Sequence, residues 1–310
     1  MAKIVVAVGG NALGNNPEEQ KEIVKITAKN LVDMVENGHN LVIVHGNGPQ
    51  VGMINQAFSI ANAHDKNSPV VDFPECGSMS QGYIGFHLTN ALVNEFKKRK
   101  MTNDVATIVT QTIVDKKDSA FKNPTKPIGM FYDQQQAEIL SKTQQWDMKE
   151  DSGRGWRRVI ASPKPIDIVE KKVITTLLEA NTTIIAAGGG GIPVYLNQAS
   201  YQGIAAVIDK DFAAAKIAEI IKADKLIILT AVDRVMINYN TENEEALEKL
   251  TVTEVEKLIA EKQFGEGSML PKVQAAVSFI QNGGQESIIG SLEESEKVIQ
   301  GLSGTRICKA

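Results

Sequence analysis

Short apolar runs without polar alternation set the limits on how this chain can fold. They are Ile4–Val8, Leu41–Val44, Ala106–Val109, Thr183–Ala187, Leu226–Leu229 and Ser287–Ile289, and most are rich in β-branched residues. A strand with one wet face alternates apolar and polar residues; a strand covered on both faces does not. Runs of this kind predict a parallel sheet lying between two layers of helices. The intervening segments carry helical stripes: Ile84, Leu88, Ala91, Leu92 and Phe96; Val255, Leu258 and Ile259; Val273, Ala276, Val277 and Ile280. Strand–helix alternation of this kind predicts an α/β fold with right-handed crossovers. At 310 residues the chain exceeds the usual single core, so one large domain or two fused lobes are expected. A boundary is expected at Gln202-Gly203, giving lobes 1–202 and 203–310 of one continuous sheet. Between Asp115 and Pro165 the rhythm breaks, and turn residues and charges of both signs take over. Residues 115–165 are therefore expected to form an inserted, protruding subdomain or flap.

Charge narrows the function classes. Lys+Arg is 33 and Asp+Glu is 37, a net charge of −4, so nothing favours general binding to a nucleic-acid backbone. Any anion must be met by a local site. Cys76 and Cys308 form no CxxC pair, and His39, His45, His64 and His87 show no HExxH spacing, so a disulfide scaffold and a protein-held metal are not expected. The first apolar run is too short for a membrane span and has no signal-peptide pattern, so a cytoplasmic protein without a membrane partner is expected.

Three of the strands end in glycine. They run into Gly9-Gly10-Asn11, His45-Gly46-Asn47-Gly48-Pro49 and Gly188-Gly189-Gly190-Gly191. Ligands of a parallel sheet bind beyond the carboxyl ends of its strands, where glycine brings backbone N–H groups close to an anion. One such turn is as well explained by packing; three on one edge point to phosphate. There is no GxxxxGK[ST]. A dinucleotide reading of Gly46, Gly48 and Gly52 with Asp65 lacks the second strand it needs, because Met53–His64 shows no strand pattern. Two lysines narrow the choice. Lys210 and Asp211 follow a short strand expected at Ala205–Ile208, and Lys272 follows Pro271, read as the first residue of a helix. Backbone amides around phosphate oxygens, with ammonium groups over the moving charge, are what phosphoryl transfer requires.

These segments together resemble the amino acid kinase family: Gly9-Gly10-Asn11, His45-Gly46-Asn47-Gly48-Pro49, the four-glycine run, Ile208-Asp209-Lys210-Asp211 and Gly267-Ser268-Met269-Leu270-Pro271-Lys272. Asn123-Pro124-Thr125-Lys126-Pro127, Gly153-Arg154-Gly155-Trp156-Arg157-Arg158 and Cys76-Gly77-Ser78-Met79-Ser80-Gln81-Gly82 narrow the resemblance to the branch that exchanges a phosphoryl group between carbamoyl phosphate and ADP. The resemblance implies a three-layer αβα sandwich on a mainly parallel eight-stranded sheet. It implies a first lobe, with the flap, for carbamate or carbamoyl phosphate and a second for ADP or ATP. It also implies Mg²⁺ carried by the nucleotide phosphates, a homodimer and a place in fermentative arginine breakdown. Gly9, Gly10 and Asn11 would hold the transferred group, and Gly46, Asn47 and Gly48 the carbamoyl end and phosphoryl oxygens. Lys210 and Lys272 would stabilise charge, Asp211 would orient them, and Lys126 would reach in from the insertion. Met236, Tyr239 and Met269, with Lys210, Asp211 and Lys272, are the candidates for the nucleotide; for Met236 and Tyr239 ordinary packing is an equal explanation. The acidic Asp72-Phe73-Pro74-Glu75 departs from the family pattern and leaves that flank of the substrate loop open.

Both acceptor oxygens of such a reaction are already anionic, so no general base is needed. This agrees with a motif set that lacks a His–Asp pair. His45 is read as structural or oriented by its turn. Arg154, Arg157 and Arg158 either close over an anion or pair with Glu150 and Asp151. Acetylglutamate, aspartate or a nucleoside monophosphate as acceptor, and a catalytically silent nucleotide or anion sensor, remain the rival readings.

Overall fold

The computed structural model describes residues 2–9, 13, 16–151 and 153–309. Its largest sheet has eight strands, in the order Lys249–Thr251, Thr305–Cys308, Glu286–Ser291, Lys225–Thr230, Lys3–Val8, Asn40–His45, Thr183–Ile185 and Val105–Thr107. Every neighbouring pair is parallel except Glu286–Ser291 with Thr305–Cys308. The helices are α1 (Pro17–Glu36), α2 (Gly48–His64), α3 (Phe73–Lys98), α4 (Gln134–Gln144), α5 (Lys171–Glu179), α6 (Lys210–Ile220), α7 (Val252–Ala260), α8 (Met269–Gln281) and α9 (Ser295–Gln300).

The unbroken apolar runs are explained by how successive residues divide between two cores. Val5, Ala7, Val42, Val44, Leu226 and Ile228 face the layer of α5, α6, α7 and α8. Ile4, Val6, Leu41, Ile43, Ile227 and Leu229 face the layer of α1, α3 and α9. Alternate side chains of a strand point to opposite faces, so both parities must be apolar when both faces are covered. The result is the three-layer αβα sandwich on a mainly parallel sheet that the sequence predicts.

Four expectations are corrected. Ala205–Ile208 is not a strand: Ala206, Val207 and Ile208 are buried, but the Val207 N–H donates to the Ala161 carbonyl without forming a ladder. The run Ala106–Val109 stops being a strand after Thr107, and Val109 is 52% exposed. Thr183–Ala187 ends as a strand at Ile185, and Ala187 turns at φ 46° into the glycine run. Pro271 is the third residue of α8, not the first, because Ser268 is the N-cap; Lys272 is still within the opening turns.

The chain leaves the main body after the strand Gln111–Val114 and returns at Pro165–Ile168, its antiparallel neighbour. Between them lies a second small fold, a three-stranded antiparallel sheet of Lys126–Tyr132, Trp156–Ile160 and Met148–Glu150 carrying α4. It is seated on α2. A Cβ at Gly52 would lie 2.3 Å from the Gly129 Cα, and Gly129 itself sits at φ +68°. Arg158 donates to the Asn55 Oδ1 at 3.1 Å, with its guanidinium over the rings of Phe73 and Trp146. Gly52→Ala is therefore expected to lift the insertion off α2 at a cost of about 1–3 kcal/mol, the usual price of overpacking. Limited proteolysis should then cut within residues 126–160 while the sheet stays folded; an unchanged cleavage pattern would show that the contact yields.

Candidate active site

The strands Lys3–Val8, Lys225–Thr230 and Glu286–Ser291 open at their carboxyl ends into a cavity of about 510 Å³. Gly9, Thr230, Ala231, Ser291, Lys210 and Lys272 line it. A more apolar slot of about 320 Å³ adjoins it, sharing Thr230, Ala231 and Lys272 and walled by Met236, Tyr239, Phe264 and Met269. A charged compartment beside an apolar one fits a phosphate tail beside a flat ring. Met236, Tyr239 and Met269 thus line one slot.

Two helix N-termini deliver the cations. Lys210 is the first residue of α6, and Lys272 lies in the opening turns of α8. Each ammonium takes its own oxygen of Asp211: Lys210 donates to Oδ1 at 2.5 Å and Lys272 to Oδ2 at 3.1 Å. Asp211 is only 2% exposed. Burial alone would raise its carboxyl, but the two ammoniums outweigh that and hold it well below the usual carboxylate range. Burial pushes Lys210 down from the ordinary lysine value, with Lys272 adding to the effect and Asp211 opposing it. The carboxylate is saturated by lysines, which suits an orienting group and not a proton acceptor.

The loop that follows the strand Asn40–His45 lies beside Gly9, which lines the same cavity. The Gly46 N–H donates to the Val8 carbonyl, so Gly46 and Gly9 follow directly on the paired ends, His45 and Val8, of adjacent strands. Asn47 is the N-cap of α2 but makes no side-chain cap; its Nδ2 donates to the Ser80 Oγ at 2.8 Å, and Gly48 begins the helix. The four-glycine run is a short turn wedged between the two regions. A Cβ on Gly189 would meet the Asn47 Nδ2 at 2.0 Å, and one on Gly190 the Ile208 carbonyl oxygen at 2.2 Å. These glycines allow the turn to pack closely against the Asn47 side chain and against the backbone that leads into α6. Gly10 and Asn11 lie outside the described residues.

Lys126, the first residue of the strand Lys126–Tyr132, donates to the Asp209 Oδ2 at 2.5 Å beside the N-terminus of α6. Asp209 was not singled out from the sequence, although an aspartate directly before a helical stretch is an N-cap signal. Phe264 and Ser291 carried no such signal. Among the arginines, Arg154 and Arg157 pair with Asp151, and Arg158 is the stacked anchor of the insertion. Among the described residues, no group of three or more His, Cys, Asp or Glu side chains converges to hold a metal.

His45 is structural. Its Nδ1 lies 2.8 Å from the Gly46 carbonyl oxygen, and burial lowers its pKa to about 4. The unfolded chain therefore binds a proton between the ordinary histidine value and about 4 where the folded chain does not. Stability should fall by about 3 kcal/mol as pH drops through that window. Denaturant midpoints measured against pH should show this slope, and His45→Gln should flatten it; an equal slope in the variant would assign the loss elsewhere.

Known proteins resemble this one over the whole chain. The family model "Amino acid kinase family" matches residues 2–291. The carbamate kinase-like protein YqeA of Escherichia coli (strain K12) is 51% identical over 308 residues, covering 99% of each chain. Carbamate kinase of Clostridium perfringens (strain 13 / Type A) is 50% identical over 99% of this chain and 100% of that one. The structure of carbamate kinase from Giardia lamblia bound to AMP-PNP superposes with a TM-score of 0.91 at 40% identity, covering 100% of this chain and 99% of that one. With the lysine-saturated Asp211 at the carboxyl edge of an αβα sheet, these likenesses establish that the chain belongs to the amino acid kinase family and groups there with the carbamate kinases.

Proposed function

We propose that the protein reversibly transfers a phosphoryl group between carbamoyl phosphate and ADP, giving ATP and carbamate. A terminal β-phosphate oxygen of ADP forms the new bond to phosphorus. The bond from phosphorus to the carbamoyl oxygen breaks, and its electron pair leaves with carbamate, which decomposes to ammonia and carbon dioxide. Both oxygens are anionic, so no proton need move in the transfer. The observation that carries this reading is the Lys210–Asp211–Lys272 constellation, whose two ammoniums line one cavity with Gly9. Fixed cations there stabilise charge spreading over the equatorial oxygens.

Residues 1–202, with the 115–165 insertion, are assigned to carbamoyl phosphate, and residues 203–310 to the nucleotide. Gly9, Gly46, Asn47 and Gly48 are assigned as substrate and phosphate contacts, and the assignment extends to Gly10 and Asn11. Mg²⁺ would enter on the nucleotide; Asp233 and Glu293 are acidic side chains on that cavity wall, a donor set suited to a metal held chiefly by phosphates. When bound, it neutralises charge on the phosphate tail. A homodimer, a cytoplasmic setting and a part in fermentative arginine breakdown are further elements of this proposal, carried by the resemblance of the motifs. The test is ATP formation from ADP and carbamoyl phosphate in a coupled assay, with acetylglutamate, aspartate and UMP tried as acceptors of phosphate from ATP. Turnover with one of the alternatives only, or nucleotide binding without turnover, would reject it.

A further inference from the structure

Three ammonium groups meet at the N-terminus of α6, and two carboxylates hold them. Asp211 holds Lys210 and Lys272; Asp209 holds Lys126. The Asp209 carboxylate is divided between two tasks. Its Oδ1 accepts the Asp211 N–H at 2.9 Å and caps α6, while its Oδ2 accepts from Lys126 at 2.5 Å. One oxygen is tied to α6, the helix that begins with Lys210 and Asp211, the other to the first residue of the insertion's leading strand. The insertion's seat on α2, through Gly52 and Asn55, is made with the first half of the chain; the Asp209 bond carries it across to the second.

We propose that Asp209 is a positioning residue: it holds the Lys126 ammonium beside the N-terminus of α6 before substrate arrives and ties the insertion to the second half of the chain. This rests on the function assigned above. An ammonium has three N–H donors. With one on Asp209, two remain for phosphoryl oxygens, so the carboxylate aims the cation without consuming it. A lysine on a free four-carbon stem would have to be ordered by the substrate itself. Capping alone does not explain the choice of side chain, because serine caps a helix as well as aspartate does.

That equivalence provides the test. Asp209→Ser keeps an acceptor for the Asp211 N–H and removes the partner of Lys126; Asp209→Asn does the same should serine unsettle α6. In the substrate-free protein, hydrogen exchange of amides in residues 126–132 and 156–160 should accelerate about tenfold, the equivalent of one charge-assisted hydrogen bond, with residues 210–220 unchanged. Unchanged exchange in the insertion would overturn the proposal. In kinetics, the KM for carbamoyl phosphate should rise about tenfold, with kcat and the KM for ADP within about threefold of the parent value. In a Lys126→Ala background the same substitution should add nothing, because the two residues act as one unit. A fall in kcat with unchanged KM values, or an equal effect with and without Lys126, would make Asp209 a helix cap only and overturn the proposal. If the parent protein makes no ATP from these substrates, the assigned reaction fails, while the exchange measurement still decides whether Asp209 holds the insertion.

Discussion

Lys272→Ala and Lys210→Ala are each expected to lower turnover by about two to three orders of magnitude, the effect of losing one preorganised donor to a transition state. Both ammoniums border the same cavity, and both are fixed by one buried carboxylate. They therefore cost little reorganisation when charge builds on the moving phosphoryl group. The loss should fall on kcat more than on KM, because negative charge is already present on bound substrates and only its distribution changes on the way to the transition state. Arginine should not restore Lys210: its planar fork is larger and cannot reproduce a point charge held 2.5 Å from Asp211. Initial rates of ATP formation across both substrate concentrations separate the terms. Near-parental turnover in both alanine variants would remove the lysine pair from the chemistry.

The layers of this fold were legible in the sequence because a doubly covered strand leaves a mark that few other arrangements leave. Val5 and Val6 face opposite cores, and neither position tolerates a polar residue. The lysine cluster was legible for a different reason: Lys210 and Lys272 each stand near a helix start beside glycine-rich turns, where cations have no reason to gather unless an anion comes. Less was visible where tertiary contacts decide. The segment 205–208 has the composition of a strand, but its backbone bond to Ala161 does not extend into a ladder. The insertion has a sheet and a helix of its own, yet only Ala137 of α4 is buried, so no apolar stripe announced it. Gly52 resembled part of a nucleotide-binding fingerprint, whereas its lack of a side chain is what lets Gly129 approach. Asp209 was hidden because a cap is a local signal and its second bond, to Lys126, spans 83 positions of the chain.

Asp211→Asn should have an effect as large as either lysine substitution, with a signature that neither of them shares. The carboxylate is buried, and it is the direct ion-pair partner of both Lys210 and Lys272. Removing its charge leaves two neighbouring ammoniums beneath the cleft without their counter-ion, which should cost about 3–5 kcal/mol of stability. Burial already depresses Lys210, and Asp211 is the main influence that opposes it. With that influence gone, the Lys210 pKa should fall further below the ordinary lysine value, so the side chain should lose its proton at a lower pH than in the parent. Turnover requires the protonated lysine, so kcat should decline as pH rises through the lowered value and recover partly as pH is reduced. Stability should move the other way. Above the folded pKa the native lysine is neutral, whereas the unfolded chain still binds the proton up to the ordinary lysine value, so the folded state gains on the unfolded one as pH increases. A kcat profile and a set of denaturant midpoints over the same pH series would show the two trends crossing. The parent profile should break at a higher pH than the variant's, because Asp211 still supports the Lys210 charge. If the variant's turnover fell by the same factor at every pH, Asp211 would be acting through geometry alone, and the electrostatic account of the cluster would fail.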